Sequence, residues 1–144
     1  ERSLLAPLSK NPGEVSEERF AEFQRMFAAA GDFERIPESA MDITGGVSGC
    51  TPAYVYLFIE ALADGGVKVG LPRGQAVTYA AQMVLGTAQL ALQSDQHTAT
   101  MKDAVCSPGG TTIAGVRALE RGGFRSAAME AVIAAYEKTL ALKS

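Results

Sequence analysis

Two long stretches of the sequence would form helices with apolar residues on every side, and they constrain the fold more than any other feature. Ten of the twelve residues in 53–64 are apolar, and in 76–92 twelve of the seventeen are apolar and none is charged. A helix that is apolar on every side has to be buried on every side. A unit of about 100 residues has too little interior to cover two such helices by itself. We therefore expect a mainly α-helical bundle that forms an interleaved homodimer.

Composition excludes several classes of partner. The chain has 144 residues, enough for one domain or for one domain and a fragment of another. Its net charge of −3 comes from interspersed acids and bases without a basic stripe, so we expect no nucleic-acid partner. Its apolar runs are shorter than the roughly 20 residues of a membrane span, and no signal-peptide pattern is found. We expect a soluble, cytoplasmic protein that does not associate with membranes.

The first helix is predicted to follow Ser16, a favourable N-cap residue with acidic residues after it. Its apolar face carries three phenylalanines at helical spacing, Phe20, Phe23 and Phe27, and Gly31 is predicted to end it. Residues 32–36 are typical of a short strand that Pro37 terminates. Residues 4–8 are typical of an edge strand.

Beyond Pro37 the sequence predicts almost continuous helix. Breaks are predicted at three glycine-containing sites, which are Gly65-Gly66, Gly70-Leu71-Pro72 and Gly122-Gly123. Helices are also predicted to run to about Arg121 and over residues 126–142, and the second of these ends in lysines that suit the helix dipole.

Residues 102–115, KDAVCSPGGTTIAG, are the segment richest in possible chemistry. The pattern predicts the end of one helix, a tight turn and the start of the next. Glycines let a ligand approach the backbone, and the unpaired N–H groups of a new helix suit a small anion such as a carboxylate. Ser107, Thr111 and Thr112 add hydroxyl groups. An ordinary Ser-Pro-Gly-Gly turn with a threonine at the helix start explains the same residues.

The segment resembles the signature of the pyrroline-5-carboxylate reductase family, down to Leu119-Glu120. A second block is also similar to that family and stands in the same order. It comprises residues 44–54 (TGGVSGCTPAY) and residues 60–68 (EALADGGVK), and Leu71-Pro72 follows it. The resemblance extends from about Val15 to the C terminus.

The resemblance implies an enzyme of two parts, an N-terminal Rossmann domain for the dinucleotide and a helical domain that exchanges helices with a partner. We find no strand followed by GxGxxG, and Gly45, Gly46 and Gly49 lack that spacing. Residues 1–36 are therefore interpreted as a short α/β remnant of the Rossmann domain, and residues 37–144 as the dimerisation and substrate-binding domain. We expect roughly 100 further residues upstream in the whole enzyme, and no activity from this piece alone.

The activity implied by the resemblance is reduction of the C=N bond of 1-pyrroline-5-carboxylate to L-proline with NADPH or NADH, in proline biosynthesis. The implied assembly is a homodimer, or a higher oligomer built from it. Four residues are implied in substrate binding, which are Ser107, Gly110, Thr111 and Thr112. The first three hold the carboxylate, and the Thr112 hydroxyl, the implied catalytic group, contacts the ring nitrogen. Ala104 and Val105 are implied to lie near the nicotinamide ribose.

The chain departs from the family pattern at a few positions. Ala104 stands where asparagine is frequent, which removes a side-chain hydrogen bond. Cys50-Thr51 replaces Ser-Gly and adds bulk, Asp95 stands in place of glutamate, and Thr98 in place of proline.

The other candidate residues have simpler explanations. His97, the sole histidine, is interpreted as a helix-start or surface residue in preference to a general base, and we expect no metal site because no second ligand has suitable spacing. Cys50 and Cys106 are expected to be reduced, with Cys106 a buried, inert thiol. Two other functions remain open. One is a non-catalytic helical dimerisation module without a cofactor domain, and the other is a reductase of another cyclic imine or of a β-hydroxyacid-like carboxylate.

Overall fold

The computed structural model describes residues 15–143. Within this range the chain is helical, which confirms the predicted class. The α-helices are α1 (Glu17–Met26), α2 (Met41–Thr44), α3 (Thr51–Lys68), α4 (Arg73–Gln93), α5 (Thr98–Ala104), α6 (Thr111–Arg121) and α7 (Phe124–Ala141). A 3-10 turn (Glu38–Ala40) precedes α2, and a π-helical segment (Gly45–Gly49) joins α2 to α3. The strand predicted for residues 4–8 lies outside the described residues.

The chain divides into two compact units. One comprises the described residues up to Pro52 together with those from Glu130 onward, and the other is Ala53–Met129. Nothing in the described part of the chain is both long and apolar enough to form a membrane-crossing helix.

In the first unit, α1 begins as predicted and ends earlier than predicted. The Ser16 hydroxyl accepts a hydrogen bond from the Arg19 N–H at 3.3 Å, so Ser16 is the N-cap. The helix ends at Met26 and not near Gly31. The reason is aromatic packing, because the chain turns back after Phe27 and brings the Phe33 ring to 4.9 Å from the Phe23 ring.

The strand predicted for residues 32–36 is wrong within the described residues. The segment has no regular secondary structure and pairs with no strand there. Side chains hold it instead: the Gln24 amide donates to the Phe33 carbonyl at 2.8 Å, and Arg35 contacts the start of α1. A strand forms only where a second extended segment completes its backbone hydrogen bonds, and residues 15–143 supply no such strand for this stretch.

The C-terminal half of α7 packs on the π-helical segment in the same unit. A Cβ atom on Gly46 would lie 3.5 Å from the Val132 carbonyl and 3.8 Å from Tyr136 Cβ, so the two backbones approach closely there. The Lys143 ammonium forms an ion pair with both carboxylate oxygens of Asp42, at 2.6 and 2.8 Å.

In the second unit, α3 and α4 pack through small side chains. Ala63 of α3 and Ala76 and Ala80 of α4 are buried. The predicted break at Gly65-Gly66 is wrong, since α3 continues to Lys68. Gly66 serves packing instead: a Cβ atom there would lie 3.4 Å from Ala76 Cβ and 3.5 Å from Leu71 Cδ2.

The other predicted breaks are confirmed. The chain turns at Gly70, whose φ is +106°, and Pro72 is the N-cap residue of α4. Gly122 and Gly123 separate α6 from α7. Phe124 then contacts α3, with its ring centroid 5.7 Å from that of Phe58.

Large apolar side chains of α3 and α4 remain exposed in the single chain. Tyr56 is 71% exposed, Leu57 66%, Leu85 60% and Leu90 59%. By contrast, the described apolar side chains that are buried in the chain are the three alanines. Each of these two helices therefore has a small-residue face that packs within the chain and a large-residue face that does not.

Candidate functional site

The turn between α5 and α6 has a defined geometry. The Gly110 N–H donates to the Ser107 carbonyl at 3.0 Å, which closes a four-residue turn. Gly109 has a φ of +68°. A turn with proline at its second position and a left-handed residue at its third is a type II turn, which favours glycine at the third position. The sequence Ser107-Pro108-Gly109-Gly110 thus specifies the backbone of this turn.

Gly110 brings the Ser107 hydroxyl to the start of α6. A Cβ atom at Gly110 would collide with Ser107 Oγ and would lie 3.1 Å from the Ser107 carbonyl oxygen. Only a glycine leaves room for the Ser107 side chain in this position. Gly110 is also the N-cap residue of α6, and it has no side chain that could satisfy the first N–H groups of the helix.

The N-terminal end of α6 presents free backbone donors. The first regular bond of this helix is from the Ala114 N–H to the Gly110 carbonyl, at 3.4 Å. Among residues 15–143, no acceptor is found for the N–H groups of Thr111, Thr112 and Ile113, which is the expected state of a helix start. All three residues are exposed. The partial positive charge of a helix start and its aligned donors favour a small anion.

The structure brings four of the predicted site residues together. Ser107 and Gly110 form the two ends of the turn, and Thr111 and Thr112 are the first two residues of α6. Ser107, Thr111 and Thr112 are exposed, so the hydroxyl groups and the helix start face solvent in this chain. The site therefore combines neutral hydroxyls with backbone N–H donors.

The other two predicted residues lie just before the turn. Ala104 is the last residue of α5, and Val105 follows it as the C-cap residue. Val105 is 65% exposed. No hydrogen bond in the described part of the chain joins either residue to the turn, and Cys106 alone separates Val105 from Ser107. They offer a small apolar surface beside the hydroxyl groups.

An ion pair that the sequence reasoning missed lies at the end of α5. The Lys102 ammonium donates to Asp103 Oδ1 at 2.6 Å. This hydrogen bond, together with the charge of Asp103, raises the pKa of Lys102 above its ordinary value. Neighbouring residues do not normally face each other on a helix, so their sequence spacing gave no signal.

His97 is the N-cap residue of α5. Its Nδ1 atom accepts a hydrogen bond from the Ala99 N–H at 3.1 Å. This confirms the interpretation of His97 as a helix-start residue. Both cysteines are free thiols as expected, with Cys50 exposed and Cys106 half-buried, so Cys106 is less buried than predicted.

A groove lies between α3 and α4. This groove has a volume of about 780 Å³, and its apolar wall includes Tyr56, Leu57 and Val77. Glu60, Asp64 and Arg73 supply its polar side, with Asp64 and Arg73 joined in an ion pair. The sequence predicted the apolar character of these helices but not the collection of their charges at one groove.

Comparison with known proteins identifies close similarity to one group. Residues 38–142 match the family described as pyrroline-5-carboxylate reductase dimerisation. A pyrroline-5-carboxylate reductase from Synechocystis is 54% identical over 125 residues, which are 87% of this chain and 47% of that protein. One from Escherichia coli is 47% identical over 125 residues, covering 87% of this chain and 46% of that protein. The chain therefore spans about half the length of the curated relatives that it matches.

Solved structures show the same similarity. A pyrroline carboxylate reductase from Plasmodium falciparum, crystallised with NADP bound, superposes with a TM-score of 0.84 at 39% identity. The superposition covers 96% of this chain and 55% of the Plasmodium falciparum chain. A 1-pyrroline-5-carboxylate reductase from Streptococcus pyogenes superposes with a TM-score of 0.81 at 39% identity and covers 92% of this chain and 51% of that chain.

Proposed function

Because the chain belongs to the pyrroline-5-carboxylate reductase family, whose dimerisation region it carries, we propose that it is the dimer-forming and substrate-binding half of an NAD(P)H-dependent reductase. The whole enzyme reduces the C=N bond of 1-pyrroline-5-carboxylate to L-proline in the cytoplasm. The single observation that supports this assignment best is the open start of α6, where hydroxyl groups and free N–H groups meet at a glycine turn.

The substrate carboxylate lies at this helix start. Ser107 donates from its hydroxyl and Thr111 from its backbone N–H, while Gly110, whose own N–H closes the turn onto the Ser107 carbonyl, leaves the space in which the carboxylate reaches both donors. A carboxylate bound by such donors needs no lysine or arginine, in agreement with the pairing of Lys102 with Asp103. The five-membered ring then projects away from α6 with its nitrogen beside Thr112.

Reduction of the imine needs a hydride at carbon and a proton at nitrogen. The reduced nicotinamide supplies the hydride that adds to the imine carbon. The π electrons of the C=N bond move to nitrogen, which takes up a proton. The Thr112 hydroxyl hydrogen-bonds to that nitrogen and relays the proton, because it regains one from water as it gives its own. Ala104 and Val105 immediately precede the turn and are exposed, so their small apolar surface is available to the nicotinamide end of the cofactor. The chain thus fixes the geometry of the reacting atoms.

The greater part of the cofactor site belongs to a domain upstream of this chain. We assign residues 1–36 to the tail of that Rossmann domain and residues 37–144 to the helical domain. Two observations support this boundary. The family match begins at residue 38, and residues 32–36 form an irregular segment that precedes the helices of the matched region.

The second copy in the proposed homodimer covers α3 and α4. A face that leaves Tyr56, Leu57 and Leu85 more than half exposed is unusual for a monomer, whose large apolar patches normally serve an interface. The groove between α3 and α4 offers the concave surface for a partner helix. Higher oligomers built from this dimer remain compatible with the arrangement.

The test uses the full-length protein with its upstream domain. We expect it to oxidise NADPH in the presence of pyrroline-5-carboxylate, and Thr112→Ala to lower kcat by roughly a hundredfold, the usual contribution of a positioned proton donor. Thr112→Ser restores most of the rate. Thr100→Ala, which removes an exposed threonine of α5, is the matched control and leaves kcat unchanged.

Three results contradict parts of the proposal. Normal turnover in Thr112→Ala removes Thr112 from the mechanism. A preference for another cyclic imine or for a β-hydroxy acid in the same assay changes the substrate. A full-length protein that dimerises but never oxidises NADPH or NADH is a non-catalytic dimerisation module.

A further inference from the structure

Arg35 makes more contacts than its place in an irregular segment requires. One guanidinium nitrogen donates to Glu17 Oε1 at 2.9 Å. The other donates to the carbonyls of Val15 and Ser16, at 2.8 and 3.1 Å. Its Cζ atom also lies 4.5 Å from the centroid of the Phe20 ring. A single side chain thus contacts four residues that are 15 to 20 positions away in the sequence.

Helix stability does not explain these contacts. They place a positive charge at the N-terminal end of α1, where the helix dipole disfavours cations. Glu17 offsets part of that cost. A planar guanidinium can donate to two carbonyls and a carboxylate while its face covers an aromatic ring, whereas a lysine ammonium cannot reproduce that geometry. These contacts therefore fix the orientation of the Arg35 guanidinium group as well as its distance from the start of α1.

The position of Arg35 in the chain gives these contacts a consequence. Two residues separate it from the start of the matched dimerisation region at residue 38. Its side chain holds the backbone at Val15 and Ser16, which is where the polypeptide enters α1. Segments between domains normally have few contacts and allow the domains to move. Here one side chain ties the entry of α1 to the segment that leads into the helical domain.

We propose that Arg35 is a positioning residue that holds the segment leading into the helical domain on α1, and so fixes the angle between that segment and the cofactor domain to which residues 1–36 are assigned. The inference rests on the proposed function, because it assumes that α1 is the tail of a nicotinamide-binding domain. Hydride transfer tolerates little misplacement, and a displacement of about 1 Å can lower a rate a hundredfold. Loss of the Arg35 contacts is therefore expected to lower kcat while cofactor affinity is retained.

The experiment compares Arg35→Gln and Arg35→Lys with wild type in the full-length enzyme. We expect kcat to fall by roughly tenfold or more in Arg35→Gln, with the Kd for NADPH, measured by fluorescence quenching, within about twofold of wild type. Arg35→Lys keeps the charge but loses the planar geometry, and it is expected to restore less than half of the lost rate. Arg25→Gln is the control, since Arg25 is an exposed arginine of α1 in the same unit.

Two outcomes overturn the inference. One is a normal kcat in Arg35→Gln. The other is a parallel loss of kcat, NADPH affinity and thermal stability, which indicates a merely structural role. Hydrogen exchange on the 144-residue chain separates this inference from the proposed function, because it needs no activity. Arg35→Gln is expected to speed exchange of the Phe20 amide, which bonds to the Ser16 carbonyl, at least fivefold relative to Arg25→Gln, and equal exchange in the two variants also overturns the inference.

Discussion

At the residue scale, the N-cap of α5 shows how one side chain supports the segment before the candidate site. The imidazole of His97 accepts the Ala99 N–H, and α5 is only seven residues long. A short helix has few hydrogen bonds of its own and depends on its ends. The residues that follow α5 lead directly into the Ser107–Gly110 turn, so the cap helps to fix where that turn begins.

Removal of this cap should destabilise the chain. We expect His97→Ala to lower the free energy of unfolding by about 0.5–2 kcal/mol, the usual cost of losing an N-cap acceptor. His97→Asn retains an acceptor at the same position and should stay within about 0.5 kcal/mol of wild type. Urea denaturation followed by circular dichroism measures both, and equal stability of the two variants contradicts the assignment of His97 as the cap.

The ion pair at the end of α5 makes a prediction about pH. Asp103 raises the pKa of Lys102 through a hydrogen bond and through its charge. A raised lysine pKa means that the interaction is complete at neutral pH and is lost only as the pH rises through that pKa. We expect Asp103→Asn to lower the pKa of Lys102, as measured by NMR titration in the alkaline range. Glu130→Gln should leave the titration of Lys102 unchanged, and the same change in both variants excludes the pairing.

At the scale of elements, the glycines were the hardest residues to interpret, because a glycine can mark either the end of a helix or a close packing contact within one. Gly70 and Gly123 have positive φ angles and turn the chain, so the predicted breaks there are confirmed. Gly66 instead lies inside α3, because its missing side chain lets Leu71 and Ala76 approach. The sequence does not distinguish a glycine chosen for its backbone angle from one chosen for its lack of volume. The wrong strand prediction at residues 32–36 has a different cause. A local sequence pattern does not show whether a second strand is available for pairing.

The packing role of Gly66 can be tested by size. Gly66→Ala places its Cβ at ordinary contact distance from Ala76 and should change the free energy of unfolding by no more than about 1 kcal/mol. Gly66→Leu overfills the contact and should cost about 1–3 kcal/mol. Gly65 has no atom within 4 Å of its would-be Cβ atom, so Gly65→Leu is the matched control. Thermal unfolding of the three variants checks the order, and equal losses at both positions remove the packing argument.

At the scale of the whole molecule, the local geometry of the candidate site was predictable and its surroundings were not. The order serine, proline, two glycines and two threonines specifies a type II turn and a helix start, and the structure has both. The pairing of Lys102 with Asp103 and the groove at Glu60, Asp64 and Arg73 depend on three-dimensional neighbours. The exposed faces of α3 and α4 could be predicted, because a chain of 144 residues has too little interior to bury two helices that are apolar on every side.

These exposed faces predict self-association. We expect the chain to sediment as a dimer at micromolar concentration, and Tyr56→Lys to weaken the dimer by more than about tenfold, or 1.4 kcal/mol. Tyr56 is 71% exposed on α3 and lines the groove. Val69 is 85% exposed but lies in the turn after α3, so Val69→Lys is the control and should leave the dimer intact. A wild-type chain that sediments as a monomer contradicts the assembly.

The alanine contact between α3 and α4 also bears on how the protein is made. Ala63, Ala76 and Ala80 have little surface to remove from water, so their contact contributes little hydrophobic free energy to a single chain. In the proposed homodimer, the exposed faces of α3 and α4 release further hydrophobic free energy when two chains meet. The last step of refolding should therefore speed up in proportion to chain concentration, and dilution or slow synthesis should prolong the interval in which these helices are open to aggregation.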